Sequence, residues 1–339
     1  MPNIIYMNFS RWFCTFFLIC TAIFMVSCSK LKYESIDGFT QGTTFHIVYS
    51  QPKKGVDMSS VIDSIFNHVD TTLSVYNKSS MISRINRGED SIINQLFKDV
   101  FNRSYEIYKL SAGFFDVSAG PIFDLWGFGA KDRESVTREK LDSLFKLVGM
   151  DKFRIVGDTI YKDNWNGVLN FNAIAKGYTS DLVGYELERL GVENYLVEIG
   201  GEIRTKGLNP KGTLWKIGID KPMDGNLIQG ANIQQVIYMS NGALATSGNY
   251  RKFYEVEGVK YSHTIDPISG YPVKHSLLSA TVFAPDVMTA DAFATWFMVV
   301  GLEKAIEIVE SMPEIEAFLI YSQGEEFAVY SSKGVNLGE

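Results

Sequence analysis

The chain has 339 residues, 46% of them apolar and 21% charged, which suits a globular body with a sizeable core and excludes a disordered or fibrous one. Its net charge is −7 with no basic run, which argues against a nucleic-acid partner, because phosphate backbones are held by clustered Lys and Arg. The three cysteines, Cys14, Cys20 and Cys28, all fall near the start, so thiol catalysis, zinc–thiolate sites and disulfides are excluded for the body that follows.

Arg11 is followed by an apolar run from Trp12 to Val26 and then by Ser27-Cys28. A basic residue, a short apolar stretch and a small residue before its end describe a secretory signal, and the run is short for a membrane span. Met25-Val26-Ser27-Cys28 resembles a bacterial lipobox, in which Cys28 becomes the lipidated first residue. The expected organisation is a signal over 1–27, a polar tether over 28–37 and one catalytic domain over 38–332. The expected location is outside the cytoplasm, lipid-anchored to a bacterial inner or outer membrane and facing the periplasm.

Thr44 to Ser50 alternates as a strand. Asp57 or Ser59 caps a helix with the stripe Val61, Ile65, Phe66, Val69 and Leu73. A second helix runs from about Ile92 to Leu110, and a short one with Leu141, Leu144, Phe145 and Val148 starts after Thr137. Phe153 to Tyr161 reads as a hairpin turning at Gly157-Asp158. A strand over Val168–Phe171 leads into a helix from about Ile174 to Leu190. Strands follow at Tyr195–Ile199, Trp215–Ile219 and Gln235–Met239, with a hairpin over Phe253–Ser262. The end reads as strand, helix, helix and strand through Ala280–Phe283, Thr289–Val300, Glu303–Ser311 and Ala317–Ile320. Many strands joined by hairpins predict a mixed α+β fold with largely antiparallel sheets, packed helices and two lobes around a cleft.

Asp291 and Thr295 stand four apart on the predicted helix Thr289–Val300, so a carboxylate and a hydroxyl share one face. Both are hard oxygen donors of the kind Mg²⁺ takes. In Asn170 to Tyr178 a strand gives way to a helix whose free N–H groups favour an anion. Lys176 adds charge there, and the Ala173 carbonyl stands ahead of the helical ladder; a buried junction with a solvated lysine fits the same residues. Tyr261 to Pro272 delivers His263 into a Pro/Gly loop, where a general base is well presented. Phe115 to Pro121 with Leu125 to Gly129 mixes aromatics and glycines, and Leu73-Ser74-Val75-Tyr76 ends a helix on a tyrosine able to stack on a ring. The glycine pair in Ile199-Gly200-Gly201-Glu202-Ile203 suggests a bulge within a strand.

Taken in order, Gln41-Gly42-Thr43, Ser74-Val75-Tyr76, Phe115 to Pro121 with Trp126 to Gly129, Ala173 to Gly177, Gly200-Gly201-Glu202, Ala245 to Arg251, Ser262 to Pro272 and Ala290 to Thr295 resemble the ApbE family of flavin transferases. The resemblance implies a reaction in which Mg²⁺ and FAD serve to attach FMN, through a phosphoester bond, to a threonine of a partner flavoprotein, releasing AMP. It implies a membrane electron-transfer subunit as acceptor. It also implies metal ligation by the Ala173 carbonyl, Asp291 and Thr295, and flavin and diphosphate contacts from Gln41, Tyr76, Asp116, Val117, Ser118, Lys176 and the backbone near Ile265. His263 would take the proton of the acceptor threonine. Gln41 stands where many members carry methionine, and Phe171 and Asn172 stand where leucine and glycine are frequent. An FAD pyrophosphatase giving FMN and AMP, and a non-catalytic exported FAD-binding lipoprotein, are the competing readings.

Overall fold

The computed structural model describes residues 31–338 apart from 53–54, 129–134, 224–229, 250–252, 257–258 and 263. In chain order the elements are β1 (Tyr33–Thr40), β2 (Thr43–Ser50), α1 (Met58–Leu73), α2 (Met81–Asn86), α3 (Gln95–Leu110), α4 (Gly120–Leu125) and α5 (Arg138–Phe145). Next come β3 (Phe153–Val156), β4 (Thr159–Lys162), α6 (Ala175–Arg189), β5 (Tyr195–Ile199), β6 (Glu202–Lys206), β7 (Trp215–Asp220), β8 (Ile233–Met239) and β9 (Gly242–Gly248). The last are β10 (Phe253–Val256), β11 (Val259–Ser262), β12 (Leu277–Ala284), α7 (Val287–Val300), α8 (Leu302–Ser311), β13 (Glu316–Gln323) and β14 (Glu326–Ser331).

Eight strands form one antiparallel sheet in the order β1-β2-β5-β6-β9-β12-β13-β14. The fold is the expected mixed α+β class. One sheet face is covered by helices: Ile47 and Tyr49 of β2 and Val197 of β5 meet Ile62 and Phe66 of α1 and Leu187 of α6. Farther along, Ala280 and Val282 of β12 and Leu319 of β13 pack with Phe293 and Phe297 of α7 and Phe97 of α3. The opposite face is covered by the β7–β8 ribbon, whose Trp215, Ile217 and Ile237 meet Leu196, Ile203, Leu244 and Ile320 of the sheet. Period-two alternation serves both layers at once, since successive side chains leave opposite faces. Helix α7 is buried at nearly every position. A helix apolar all round belongs inside a core.

Several expectations change. Residues 33–37, read as tether, are the first half of β1, which pairs along its length with β2. Residues 1–30 lie outside the described structure. Val168–Phe171 joins no sheet: the Asn86 side chain receives the Leu169 N–H at 2.9 Å and donates to its carbonyl at 2.8 Å, pairing that backbone as a partner strand would. Gly200 and Gly201 form no bulge. Both have positive φ and make the two-residue turn between Ile199 and Glu202, which pair directly. Among the described residues no helix is long and apolar enough to cross a membrane.

Candidate active site

The β1–β2 and β5–β6 turns lie side by side, with the Gly200 N–H donating to the Thr44 carbonyl at 3.0 Å. Gln41 takes φ +48° in the first turn, a left-handed conformation that costs a non-glycine residue, and its Nε2 is held by Thr179 Oγ1 of α6 at 2.7 Å. The second turn places Glu202 at the start of β6, beside the N-terminus of α6.

Helices α6 and α7 pack closely here. A Cβ on Gly177 would stand 2.3 Å from the Val287 carbonyl oxygen and 2.8 Å from the Asp291 Cβ, so only glycine permits the approach. The Gly177 N–H donates to Asp291 Oδ2 at 3.0 Å, which leaves the Ala173 carbonyl outside the helical ladder. One turn on, Thr295 Oγ1 lies 3.4 Å from Ser247 Oγ of β9. Lys176 forms a close ion pair with Glu202 Oε1.

Asp291 and Glu202 are both buried, with Lys176 the cation set against them. Burial pushes the Glu202 carboxyl up to about 8, Lys176 opposing and Asp291 reinforcing the shift. Burial also raises the Asp291 carboxyl, against Lys176 and the Gly177 N–H. Burial works against the Lys176 ammonium too, but the two carboxylates hold its pKa above the ordinary value. Two buried carboxyls share the Lys176 ammonium, and burial favours the neutral form of each. Glu202 Oε2 has no hydrogen-bond partner among the described residues.

This arrangement fits a small hard cation. The donors offered are a carbonyl, a carboxyl and a hydroxyl, all oxygen, and the Glu202 oxygen without a partner would suit a water on a bound cation. No cluster of three His, Cys, Asp or Glu able to hold a metal occurs among the described residues, so the fit rests on this mixed set.

These groups open into a cavity of about 970 Å³, at the upper end of what small-molecule sites need. Gln41, Tyr76, Asp116, Val117, Ala173, Lys176, Ile265, Asp291 and Thr295 all line it. Tyr76 is 67% exposed at its mouth, and its hydroxyl accepts from Asn172 Nδ2 at 3.1 Å. Asp116 Oδ1 accepts from the Ser118 N–H at 2.7 Å and the Ser118 hydroxyl at 2.6 Å. Burial nevertheless pushes its carboxyl up to about 6. Ser118 stands behind the wall, fully buried, its Oγ accepting the Gly149 N–H at 2.7 Å. Ile265 is fixed by a bridge to Pro272, and Trp126 Nε1 donates to the Gly270 carbonyl at 2.8 Å, tying that loop to α4's C-terminal end. His263 lies outside the described residues.

The ApbE family profile matches residues 41–319. The chain belongs to the ApbE family. A curated Vibrio cholerae protein named FAD:protein FMN transferase is 35% identical over 323 residues, covering 93% of this chain and 95% of that one. A Haemophilus influenzae protein of the same name is 35% identical, covering 93% and 94%. Among solved structures, the flavin transferase ApbE from Vibrio cholerae superposes with a TM-score of 0.79 at 35% identity, covering 89% of this chain and 98% of that chain. The apo flavinyl transferase ApbE of Pseudomonas stutzeri gives 0.81 at 31% identity, covering 91% and 97%. Like these ApbE proteins, the chain is an enzyme of the flavin transferase class.

Sequence reasoning gave Glu202 no role beyond its place in a motif. Its signal was available: two glycines fit for a tight turn put the next residue at the start of a strand.

Proposed function

We propose that the chain is a Mg²⁺-dependent FAD:protein FMN transferase that moves FMN from FAD to a threonine hydroxyl of an acceptor protein. The threonine oxygen attacks the FMN phosphorus, a phosphoester bond forms, the bond to the AMP phosphate breaks, and AMP leaves. What supports this reading is that Ala173, Asp291 and Thr295 all line one dinucleotide-sized cavity together with Lys176 and Glu202, whose Oε2 has no hydrogen-bond partner among the described residues.

Bound Mg²⁺ would supply charge neutralisation at the diphosphate as AMP departs. Gln41, Asp116 and Val117 shape the flavin end of the cavity, and Tyr76 covers its mouth. Lys176, held by Glu202, keeps a positive charge beside the phosphates. His263 would accept the proton of the attacking hydroxyl, because threonine is a poor nucleophile without a base in reach. The acceptor would be a membrane electron-transfer subunit, and Cys28 would tether the enzyme to the same membrane through its lipid.

The test is intact-mass measurement of a candidate acceptor after incubation with the enzyme, FAD and Mg²⁺. A gain matching FMN, absent when the acceptor threonine is replaced, supports the reading. Release of FMN and AMP with an unmodified acceptor would instead make the protein a pyrophosphatase.

A further inference from the structure

Helices α6 and α7 cap each other. Asp291 of α7 takes the Gly177 N–H in the first turn of α6. In return Asp181 of α6 takes two N–H groups from the first turn of α7, Val287 at 3.0 Å on Oδ1 and Met288 at 2.8 Å on Oδ2. The α7 N-terminus has its own cap as well, since Asp286 accepts the Thr289 N–H at 2.7 Å. An ordinary helix start needs only one such residue, so the second carboxylate ties α7 to its neighbour.

Asp181 is 1% exposed and forms no part of the cavity wall. It is held in turn by Arg204, whose Nη1 donates to Oδ1 at 2.8 Å and whose Nε donates to the Tyr195 hydroxyl at 3.1 Å. The Arg204 guanidinium lies 4.4 Å from the centre of the Tyr185 ring. Gly184 makes room for it, because a Cβ there would meet Arg204 Cδ at 2.4 Å. The carboxylate is therefore fixed from the sheet side as well as from the helix side.

The two cross-helix contacts sit four residues apart on each helix, Gly177 and Asp181 on α6 against Asp291 and Val287 on α7. Together they fix the sliding register of the pair. A slip of one residue would move α7 by about 1.5 Å along its axis. That distance separates a formed oxygen site from a broken one, because Mg²⁺ demands near-ideal octahedral geometry.

We propose that Asp181 is a positioning residue for divalent-cation binding: it sets the spacing between the Ala173 carbonyl, just ahead of one helix, and Asp291 and Thr295 on the other. The inference rests on the Mg²⁺-dependent reading above and adds a residue that touches neither metal nor substrate.

Two variants test it. Asp181→Asn removes the charge that grips Arg204 and one N–H acceptor. Val287→Pro leaves Asp181 intact but deletes an N–H it accepts, at a first-turn position where proline is favoured in helices. Mn²⁺ stands in for Mg²⁺, and the free ion is counted by electron paramagnetic resonance with FAD present and no acceptor. Asp181→Asn should raise the dissociation constant for Mn²⁺ by about 10- to 100-fold, in line with groups that orient metal ligands. Val287→Pro should shift it the same way by less. FAD affinity measured in chelator should stay within about two-fold, and excess Mg²⁺ should restore the maximal rate, which a merely unstable protein would not show. If both variants lower the unfolding temperature yet bind Mn²⁺ like the parent, the inference is overturned while the proposed function stands. A parent protein that binds no Mn²⁺ overturns the proposed function, and the inference with it. Should Asp181→Asn fail to fold, Val287→Pro decides alone.

Discussion

Where α6 begins against α7, Asp291 and Glu202 are 3% and 2% exposed, whereas at the cavity mouth Tyr76 is 67% exposed, its hydroxyl accepting a hydrogen bond from Asn172. The first region is built from helix starts and hairpin turns, whose positions follow from backbone geometry. The second is built from side chains on loops and turns. Under the proposed function the contrast assigns metal and diphosphate chemistry to rigid elements and recognition of the flat ring to groups that can adjust.

Removing Asp291 attacks the rigid end most directly. Asp291→Ala should lower the FMN-transfer rate by at least about 100-fold, with a matching loss of Mg²⁺ binding, because one substitution deletes a ligand and unpairs the Gly177 N–H. Calorimetric titration of Mg²⁺ alongside the rate measurement checks it; full Mg²⁺-dependent activity in the variant would break the contrast between the two ends.

A smaller effect distinguishes Asp116, which lines the same cavity. Its carboxyl is raised by burial to about 6 in the folded protein, so the proton it keeps favours folding at low pH. That contribution is complete below the unfolded carboxylate range and is lost as pH rises through about 6, amounting to about 3 kcal/mol. Denaturant unfolding of the FAD-free protein from pH 4 to 7 should therefore show a decline that Asp116→Asn flattens. Equal slopes for parent and variant would place Asp116 in a wetter setting than its hydrogen bonds to Ser118 describe.

Tyr76→Ala should change least. With the ring mostly exposed, stability should shift by no more than about 0.5 kcal/mol, while FAD binding weakens by up to about 10-fold through lost ring contact. Thermal unfolding and flavin fluorescence read the two quantities separately. A large loss of stability would show that the mouth is as tightly built as the cation end.

The sequence revealed these regions unequally. Helix α7 was legible from its apolar stretch, read from Thr289 where the helix begins at Val287, and the spacing of Asp291 and Thr295 then put both on one face. Strand β1 was hidden: as an edge strand it carries Glu34, Ser35, Asp37 and Gly38 outward, and no apolar alternation survives. Strand β9, Gly242–Gly248, is built from Ala, Thr, Ser and Gly beside a single leucine, small residues that fit under a helix but send no periodic signal. The glycine pair at 200–201 fits a bulge or a turn equally well in one dimension, and only the pairing of Ile199 with Glu202 decides. Ser118 sits in the right stretch of chain but faces Gly149 rather than the cavity, a matter of side-chain direction that spacing does not encode. The reciprocal capping of α6 and α7 was equally invisible, since it depends on two helices being adjacent in space.

The central claim is that the Ala173 carbonyl, Asp291 and Thr295 share one cation at the diphosphate of a bound FAD. Crystals grown with FAD and Mn²⁺, measured for anomalous scattering at the manganese edge, test it without reference to turnover. The account predicts a single strong peak within direct bonding distance of those three oxygen atoms and of the FAD diphosphate. A peak elsewhere in the cavity, or FAD bound in full with no peak between the two helices, would contradict it.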